Sequence, residues 1–327
     1  MRRSIQHDFV WLLAFVVVLS ASCSSAPEEK PQKAVKTVAF ISNTSSDFWK
    51  VVRKGCEKAD AELADVTLAF KMPFGGKAIE QERLINEALN RDGADAIAVS
   101  PIDPTEELKT MNNAAKRALL ITQDSDAPES DRVLYIGADN IDAGRQAGEL
   151  MKKALPQGGK IMVFVGKREV QNAQDRYQGL KDSLQGSKIE VLDIMTDNTD
   201  KVQAKDNAAN TIVKYPDIAG MVGLWSYNGP AILDAVKNAD KVGKIKIVCF
   251  DDEKITLDAI KAGSIFGTVA QQPYEYGYQG MQLIAKILRG DRSVIPESKK
   301  FFIPPVIVQR NNVDEYRNKL NQLVASK

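Results

Sequence analysis

The sequence predicts an α/β protein of two lobes, each built on a largely parallel sheet. Three observations carry that prediction. From Thr37 onward, short β-branched or apolar runs alternate with amphipathic stretches, the pattern of βαβ units. The runs are apolar almost throughout, as in Ile245-Lys246-Ile247-Val248-Cys249-Phe250, so helices are expected over both faces of each strand. The chain has 327 residues, 44% of them hydrophobic, which is enough for two cores of ordinary size.

Strands are expected at residues 37–42, 66–71, 94–100, 118–122, 133–136, 160–165, 189–195, 219–224, 245–250, 267–271 and 301–308. Between them, Trp49, Val52, Cys56, Ala59 and Leu63 recur at helical spacing, as do Ala143, Ala147, Leu150 and Met151. Such stripes are the faces by which helices pack on a sheet.

The N-terminus reads as an export signal. Met1-Arg2-Arg3 is followed by an apolar run from Phe9 to Leu19 and then by Ser20-Ala21-Ser22-Cys23. The run is shorter than the roughly 20 residues that cross a bilayer as a helix, and the small residues after it are those of a cleavage site. Residues 1–22 are therefore expected as a signal peptide. The Cys after small residues is similar to a lipobox, with Cys23 the lipidated residue, although Ser20 stands where that motif usually has Leu; the alternative is ordinary cleavage near Ser22 that releases the protein. Residues 23–35, small, polar and proline-containing, are expected as the lipid-anchored linker. The expected location is periplasmic or cell-surface, membrane-anchored.

Composition excludes several classes. Lys and Arg number 44 against 43 Asp and Glu, so nothing favours nucleic acid as a partner. The one histidine, His7, falls in the signal peptide, which removes the commonest general base and metal ligand from the mature chain. No catalytic group, metal or cofactor is expected. Cys56 and Cys249 lie far apart in apolar-periodic segments and are expected as buried free thiols.

In open parallel sheets a ligand sits beyond the carboxyl ends of the strands, so the residues that follow each strand are the candidates. After the first strand, Asn43 is followed by Phe48 and Trp49. Adjacent helical residues point about 100° apart, so one ring can face a cleft and stack on a sugar while the other is core. Asp124 and Asp126 follow the fourth strand, and a carboxylate there can accept from adjacent hydroxyls or simply shape a turn. Asn172 and Arg176 open the helix after the sixth strand, where Arg176 offers a planar fork or a surface ion pair. Trp225 follows the eighth strand and Asp251 the ninth. Gln271, before Pro273, offers a donor and an acceptor, or serves as a hinge residue.

Taken together these segments resemble the ribose- and galactose-type periplasmic binding proteins, a sugar-binding branch of the type I periplasmic fold. Val248-Cys249-Phe250-Asp251-Asp252 is similar to that family's V-G-F-D-G, and Thr268-Val269-Ala270-Gln271-Gln272-Pro273 to its T-I-A-Q-x-P. The resemblance runs from about Thr37 to Arg310. It implies two Rossmann-like lobes joined by a three-strand hinge, with crossings near residues 138–141, 270–273 and 300–303. One lobe is expected at 36–139 plus 272–300, the other at 140–271 plus 301–312, and a C-terminal tail or helix at 313–327. It also implies ligand roles for Asn43, Phe48, Asp124, Asp251 and Gln271. The sequence departs from the family at sugar-facing positions. Ser125 and Gln174 stand where arginines are expected, leaving Asn172 or Arg176 to substitute, and Trp225 replaces an asparagine.

The function expected is an extracytoplasmic solute-binding protein, a monomer, that captures a monosaccharide by hinge closure and delivers it to the membrane permease of an ABC importer. The alternative is a receptor for a non-sugar or signalling solute, such as an autoinducer furanose, a polyol or a nucleoside, feeding a sensor. A dehydrogenase is disfavoured because Ser42-Asn43-Thr44-Ser45-Ser46 occupies the place of a G-x-G-x-x-G turn. A repressor of the same fold would need a helix-turn-helix where the signal peptide lies.

Overall fold

The protein is described by a computed structural model covering residues 35–325. The expected signal peptide, Cys23 and nearly all of the linker lie outside the described residues. Twelve strands and ten helices alternate along the described chain. They form two six-stranded sheets, ordered β11-β5-β4-β3-β1-β2 and β12-β10-β9-β8-β6-β7, the two-lobed α/β architecture expected.

The first sheet is parallel throughout. It comprises β1 (Lys36–Ile41), β2 (Val66–Lys71), β3 (Ala96–Val99), β4 (Leu119–Gln123), β5 (Leu134–Gly137) and β11 (Lys300–Phe302). Helices α1 (Asp47–Glu62) and α9 (Pro273–Leu288) bury Trp49, Val52, Cys56, Tyr276 and Ile284 with Phe40 and Ile136 on one face. Helices α2 (Ala78–Asn90) and α3 (Leu108–Ala115) bury Ile85 and Met111 with Ile97 and Leu120 on the other. This two-sided burial is why the central strands carry no polar alternation.

The second sheet repeats the plan with β6 (Gly159–Val165), β7 (Ile189–Thr196), β8 (Ile218–Gly223), β9 (Lys246–Phe250) and β10 (Gly267–Ala270), all parallel, closed by antiparallel β12 (Val306–Val308). One face is covered by α4 (Asn140–Ala154) and α5 (Gln171–Leu184). The other is covered by α6 (Lys201–Lys214), α7 (Asn228–Asn238), α8 (Lys254–Ala262) and α10 (Val313–Ala325). Cys56 and Cys249 are free thiols inside the two cores.

The chain passes between the sheets three times, after β5, after β10 and between β11 and β12. The last passage corrects an expectation. A single strand at 301–308, with a lobe boundary at 300, is not what forms. Lys300, Phe301 and Phe302 pair with β5 in the first sheet, and only Val306–Val308 pairs with β10. The reason lies in Pro304 and Pro305, which have no N–H to give to a ladder and hold φ near −65°. The run breaks there and changes sheet.

Candidate ligand-binding site

All nine sequence-predicted residues come to one cavity between the sheets: Asn43, Phe48, Trp49, Asp124, Asn172, Arg176, Trp225, Asp251 and Gln271. Thr44, Ser46, Ser226 and Tyr227 complete the lining, around about 430 Å³ of empty space. These four were missed by sequence reasoning, although each belongs to a strand-end turn already singled out. The signal that would have found them is position in the turn, since short hydroxyl residues there read equally well as helix caps.

The two aspartates are held by the same backbone device. Asp124 follows β4 and Asp251 follows β9, with φ of 59° and 64°. That left-handed conformation is uncommon for residues with a side chain, though Asp tolerates it. Each N–H donates to the adjacent strand, Asp124 to the Ile136 carbonyl and Asp251 to the Val269 carbonyl, both at 3.0 Å. Each carbonyl accepts from a hydroxyl one residue before that acceptor, Tyr135 onto Asp124 at 3.0 Å and Thr268 onto Asp251 at 2.7 Å. The strand ends thus turn both side chains out of their sheets and into the cleft.

Two indole–amide relays converge on Asp124. In one, Trp49 Nε1 donates to Asn43 Oδ1, Asn43 Nδ2 to Ser100 Oγ, and Ser100 Oγ to Asp124 Oδ2, at 2.8, 3.1 and 3.1 Å. In the other, Trp225 Nε1 donates to Asn172 Oδ1 at 3.1 Å and Asn172 Nδ2 to Asp124 Oδ2 at 3.3 Å, crossing the cleft. Gln271 Nε2 donates to Asp124 Oδ1 at 3.2 Å and to Tyr276 Oη at 3.1 Å. Burial raises the Asp124 carboxyl pKa, against the lowering effect of Arg176 and these donors.

Arg176 is 1% exposed. Its backbone lies on α4 where Gly144 leaves room, since a Cβ at Gly144 would stand 2.1 Å from the Arg176 carbonyl oxygen. From there Nε donates to Asn140 Oδ1 at 2.9 Å and Nη1 to the Leu224 carbonyl at 2.8 Å. The guanidinium also sits 4.5 Å from the Phe250 ring centroid, a cation–π contact. Nη2 has no hydrogen-bond partner among the described residues and lies 4.0 Å from Asp124 Oδ1. Asp251 Oδ1 is likewise buried without a partner, and burial pushes this carboxyl up to about 8. A donor and an acceptor, both costly to leave unpaired, therefore line one cavity.

Aromatic rings form the walls. Trp49 is 2% exposed and belongs to the core, while Phe48 is half-buried and meets Trp49 and Tyr276 edge-on at 5.2 and 6.2 Å. Opposite them, Trp225 meets Tyr227 edge-on at 6.4 Å and rests on Gly166, where any Cβ would collide with its ring. Tyr227 is anchored from behind by donating to the buried Asp197 at 2.6 Å, and Asn228 Nδ2 donates to the same carboxylate at 3.0 Å. Asp197 was not foreseen, because its two side-chain partners are 30 and 31 residues away.

Other polar residues of these segments have structural work. Asp126 accepts from Arg132 through both oxygens, at 2.5 and 2.6 Å, and from Thr122, forming a buried ion pair away from the cleft. Gln174 is exposed and donates to the Glu169 carbonyl. Arg176 and Asn172, two residues to either side of it and so on the opposite face of α5, are the ones that line the cavity.

The geometry has counterparts among known proteins. The periplasmic binding protein domain matches residues 38–292. The ribose import binding protein of Salmonella typhimurium is 24% identical over 283 residues, covering 84% of this chain and 92% of that protein. An ABC transporter solute-binding protein of Burkholderia graminis, in complex with D-arabinose, is 26% identical with a TM-score of 0.81, over 88% of this chain and 99% of that one. Another from Agrobacterium vitis, bound with α-D-tagatopyranose, is 25% identical with a TM-score of 0.82, over 89% and 100%. With two parallel-sheet lobes, three crossings and one cavity at the strand ends, the chain belongs to the periplasmic binding protein domain family, on its ribose- and galactose-type branch.

Proposed function

We propose that this protein is an extracytoplasmic solute-binding protein that captures a monosaccharide by hinge closure and delivers it to an ABC-type importer. The observation that carries the reading is the pairing of Asp251 Oδ1 and Arg176 Nη2, both buried and both without partners, on one cavity walled by Phe48, Trp49, Trp225 and Tyr227. A sugar hydroxyl can hydrogen-bond the open Asp251 oxygen and accept from the guanidinium, and a ring face stacks on an aromatic wall. The relatives named for ribose import, or solved with D-arabinose and tagatose, support the same class of ligand. Closure is the functional event, because the ligand binds groups from both lobes and so stabilises the closed state over the open one. The protein acts as a monomer, without catalysis, anchored through a lipid on Cys23.

The test is a thermal-shift panel of D-ribose, D-arabinose, D-allose, D-tagatose, D-galactose, polyols and nucleosides. A sugar at 100 times its Kd is expected to add about 2.7 kcal/mol to stability. Stabilisation by a nucleoside or polyol alone would transfer the site to the competing ligand class. Fractionation of cells carrying Cys23→Ala, with the protein still in the membrane fraction, would remove the anchor.

A further inference from the structure

The turn between β9 and α8 carries three acidic residues in succession, and each has a different partner. Asp251 lines the cavity with one oxygen open. Glu253 hydrogen-bonds Ser226 of the cavity wall and gives α8 no side-chain cap. Asp252 is outside the cavity lining, and its Oδ2 accepts from Tyr316 Oη on α10 at 2.7 Å, across 64 residues of sequence.

Tyr316 is fixed in place by its own helix. Val313, Tyr316 and Arg317 are spaced i, i+3 and i+4, so they share one face of α10. Val313 is fully buried in the core of the second lobe, and the Tyr316 ring packs on the same cluster. Arg317 pairs with Asp258 of α8 at 2.9 Å, and an exposed pair between Lys261 and Asp314 joins the same two helices at 2.8 Å. The hydroxyl therefore meets the carboxylate with little freedom left to lose. Burial pushes Asp252 up to about 6, against the lowering effect of the Tyr316 hydroxyl, so at neutral pH the acceptor is largely ionised and the bond is charge-assisted.

Neither partner follows from the family. The motif V-G-F-D-G has glycine where Asp252 stands, with no side chain to accept, and Tyr316 lies beyond residues 38–292, the stretch that the family's domain matches. We infer that Tyr316 is a positioning residue for ligand binding: through Asp252 it holds the β9–α8 turn in the conformation that aims Asp251 into the cavity. The strand side of that turn is tied already, because the Asp251 N–H donates to the Val269 carbonyl and its carbonyl accepts from Thr268. Tyr316 supplies a tie on the helix side. Asp251 sits at a φ of 64°, a conformation uncommon for a residue with a side chain, so a turn held at one end only is free to relax and carry the carboxyl away from the ligand. The inference rests on the reading of Asp251 as a ligand group, and it makes α10 part of the binding machinery.

The experiment uses the full chain as wild type, Tyr316→Phe, Asp252→Ala, Asp252→Asn, the double variant Tyr316→Phe with Asp252→Ala, and Lys261→Ala. Affinity for whichever member of the ligand panel stabilises the wild type is measured by calorimetry at a pH above 8, where Asp251 is ionised, and stability without ligand by urea denaturation. Phe keeps the ring and its packing, so Tyr316→Phe removes the hydroxyl alone. Expected is an affinity roughly fivefold weaker for Tyr316→Phe and for Asp252→Ala, the scale of one hydrogen bond. The double variant should lose no more than either, because both act through one contact. Asp252→Asn, whose amide oxygen still accepts from Tyr316, should bind within about twofold of wild type. Lys261→Ala removes a tie between α8 and α10 without touching the turn and should bind as wild type does. Wild-type affinity in Tyr316→Phe, whatever its stability, makes the contact purely structural and overturns the inference. Additive losses in the double variant, or a loss in Lys261→Ala equal to that of Tyr316→Phe, overturn it too, and all three results leave the sugar reading standing. A wild type that binds no member of the panel overturns both.

Discussion

Asp124 and Asp251 occupy equivalent places in two sheets, with the same backbone conformation and the same pair of backbone hydrogen bonds, yet their side chains are in opposite states. Asp124 accepts from Ser100, Asn172 and Gln271 and faces Arg176. Asp251 Oδ1 accepts from nothing among the described residues. One strand-end turn, used twice, thus serves two tasks: Asp124 ties the lobes together, and Asp251 offers an open carboxyl oxygen to a guest. The difference teaches that the backbone sets where a carboxylate points, while the neighbours decide whether it is available.

That contrast can be broken by experiment, and the largest effect is expected at Asp124. Asp124→Ala strands three donors and leaves the buried Arg176 without its nearest counter-charge, which should cost about 3 kcal/mol of stability in urea denaturation of the sugar-free protein. A loss under 1 kcal/mol would show that the three donors find other partners. Asp251→Ala should do the reverse, leaving the sugar-free protein as stable as wild type or more so. Its affinity for the sugar, by calorimetry at a pH above 8 where the wild-type carboxyl is ionised, should fall roughly 30-fold, the equivalent of one charge-assisted hydrogen bond worth about 2 kcal/mol.

The Asp251 site should also show itself in the pH dependence of stability. Burial raises the Asp251 carboxyl from an unfolded value of ~3.9 to about 8, so between those limits the folded state holds a proton that the unfolded state has lost. Through this group, stability of the sugar-free protein falls as pH rises from about 4 to about 8. Asp251→Asn removes that contribution, so the variant should gain on wild type between pH 5 and pH 8. Asp124, Asp252 and Glu107, also raised by burial, act in the same direction in both proteins. Parallel stability curves for the two would refute the assignment.

Smaller effects are expected at the relay and outside it. Asn172→Ala removes one cross-cleft hydrogen bond and one partner of Trp225, for a loss of about 1 kcal/mol, or roughly fivefold in affinity. Gln174→Ala should change affinity less than twofold, although the family resemblance puts an arginine there, because this side chain lies outside the cavity. A large effect at Gln174 would mean that α5 turns a different face to the sugar.

Much of this was legible beforehand. Continuous apolar runs ending in Asn43, Asp124, Trp225, Asp251 and Gln271 marked both the strands and the residues that leave them, because a parallel sheet puts every strand's carboxyl end on one side. The proline pair at 304–305 was visible too, but the apolar residues on either side of it concealed a change of sheet. Less could be read of Asp126. It looked equivalent to Asp124 two residues earlier, and only the position of Arg132 separates the buried ion pair from the cleft carboxylate.

What the sequence determined by itself was the placement of polar groups at strand ends, since strand period, chain order and turn chemistry are local properties. Tertiary structure alone decided which of those groups were consumed. Hydrogen-bonding capacity is finite, and the partners that saturate Asp124 come from 48 residues away at Asn172 and 147 at Gln271. Among the described residues no such partner reaches Asp251 Oδ1, and that remaining capacity is what the cavity offers to a ligand.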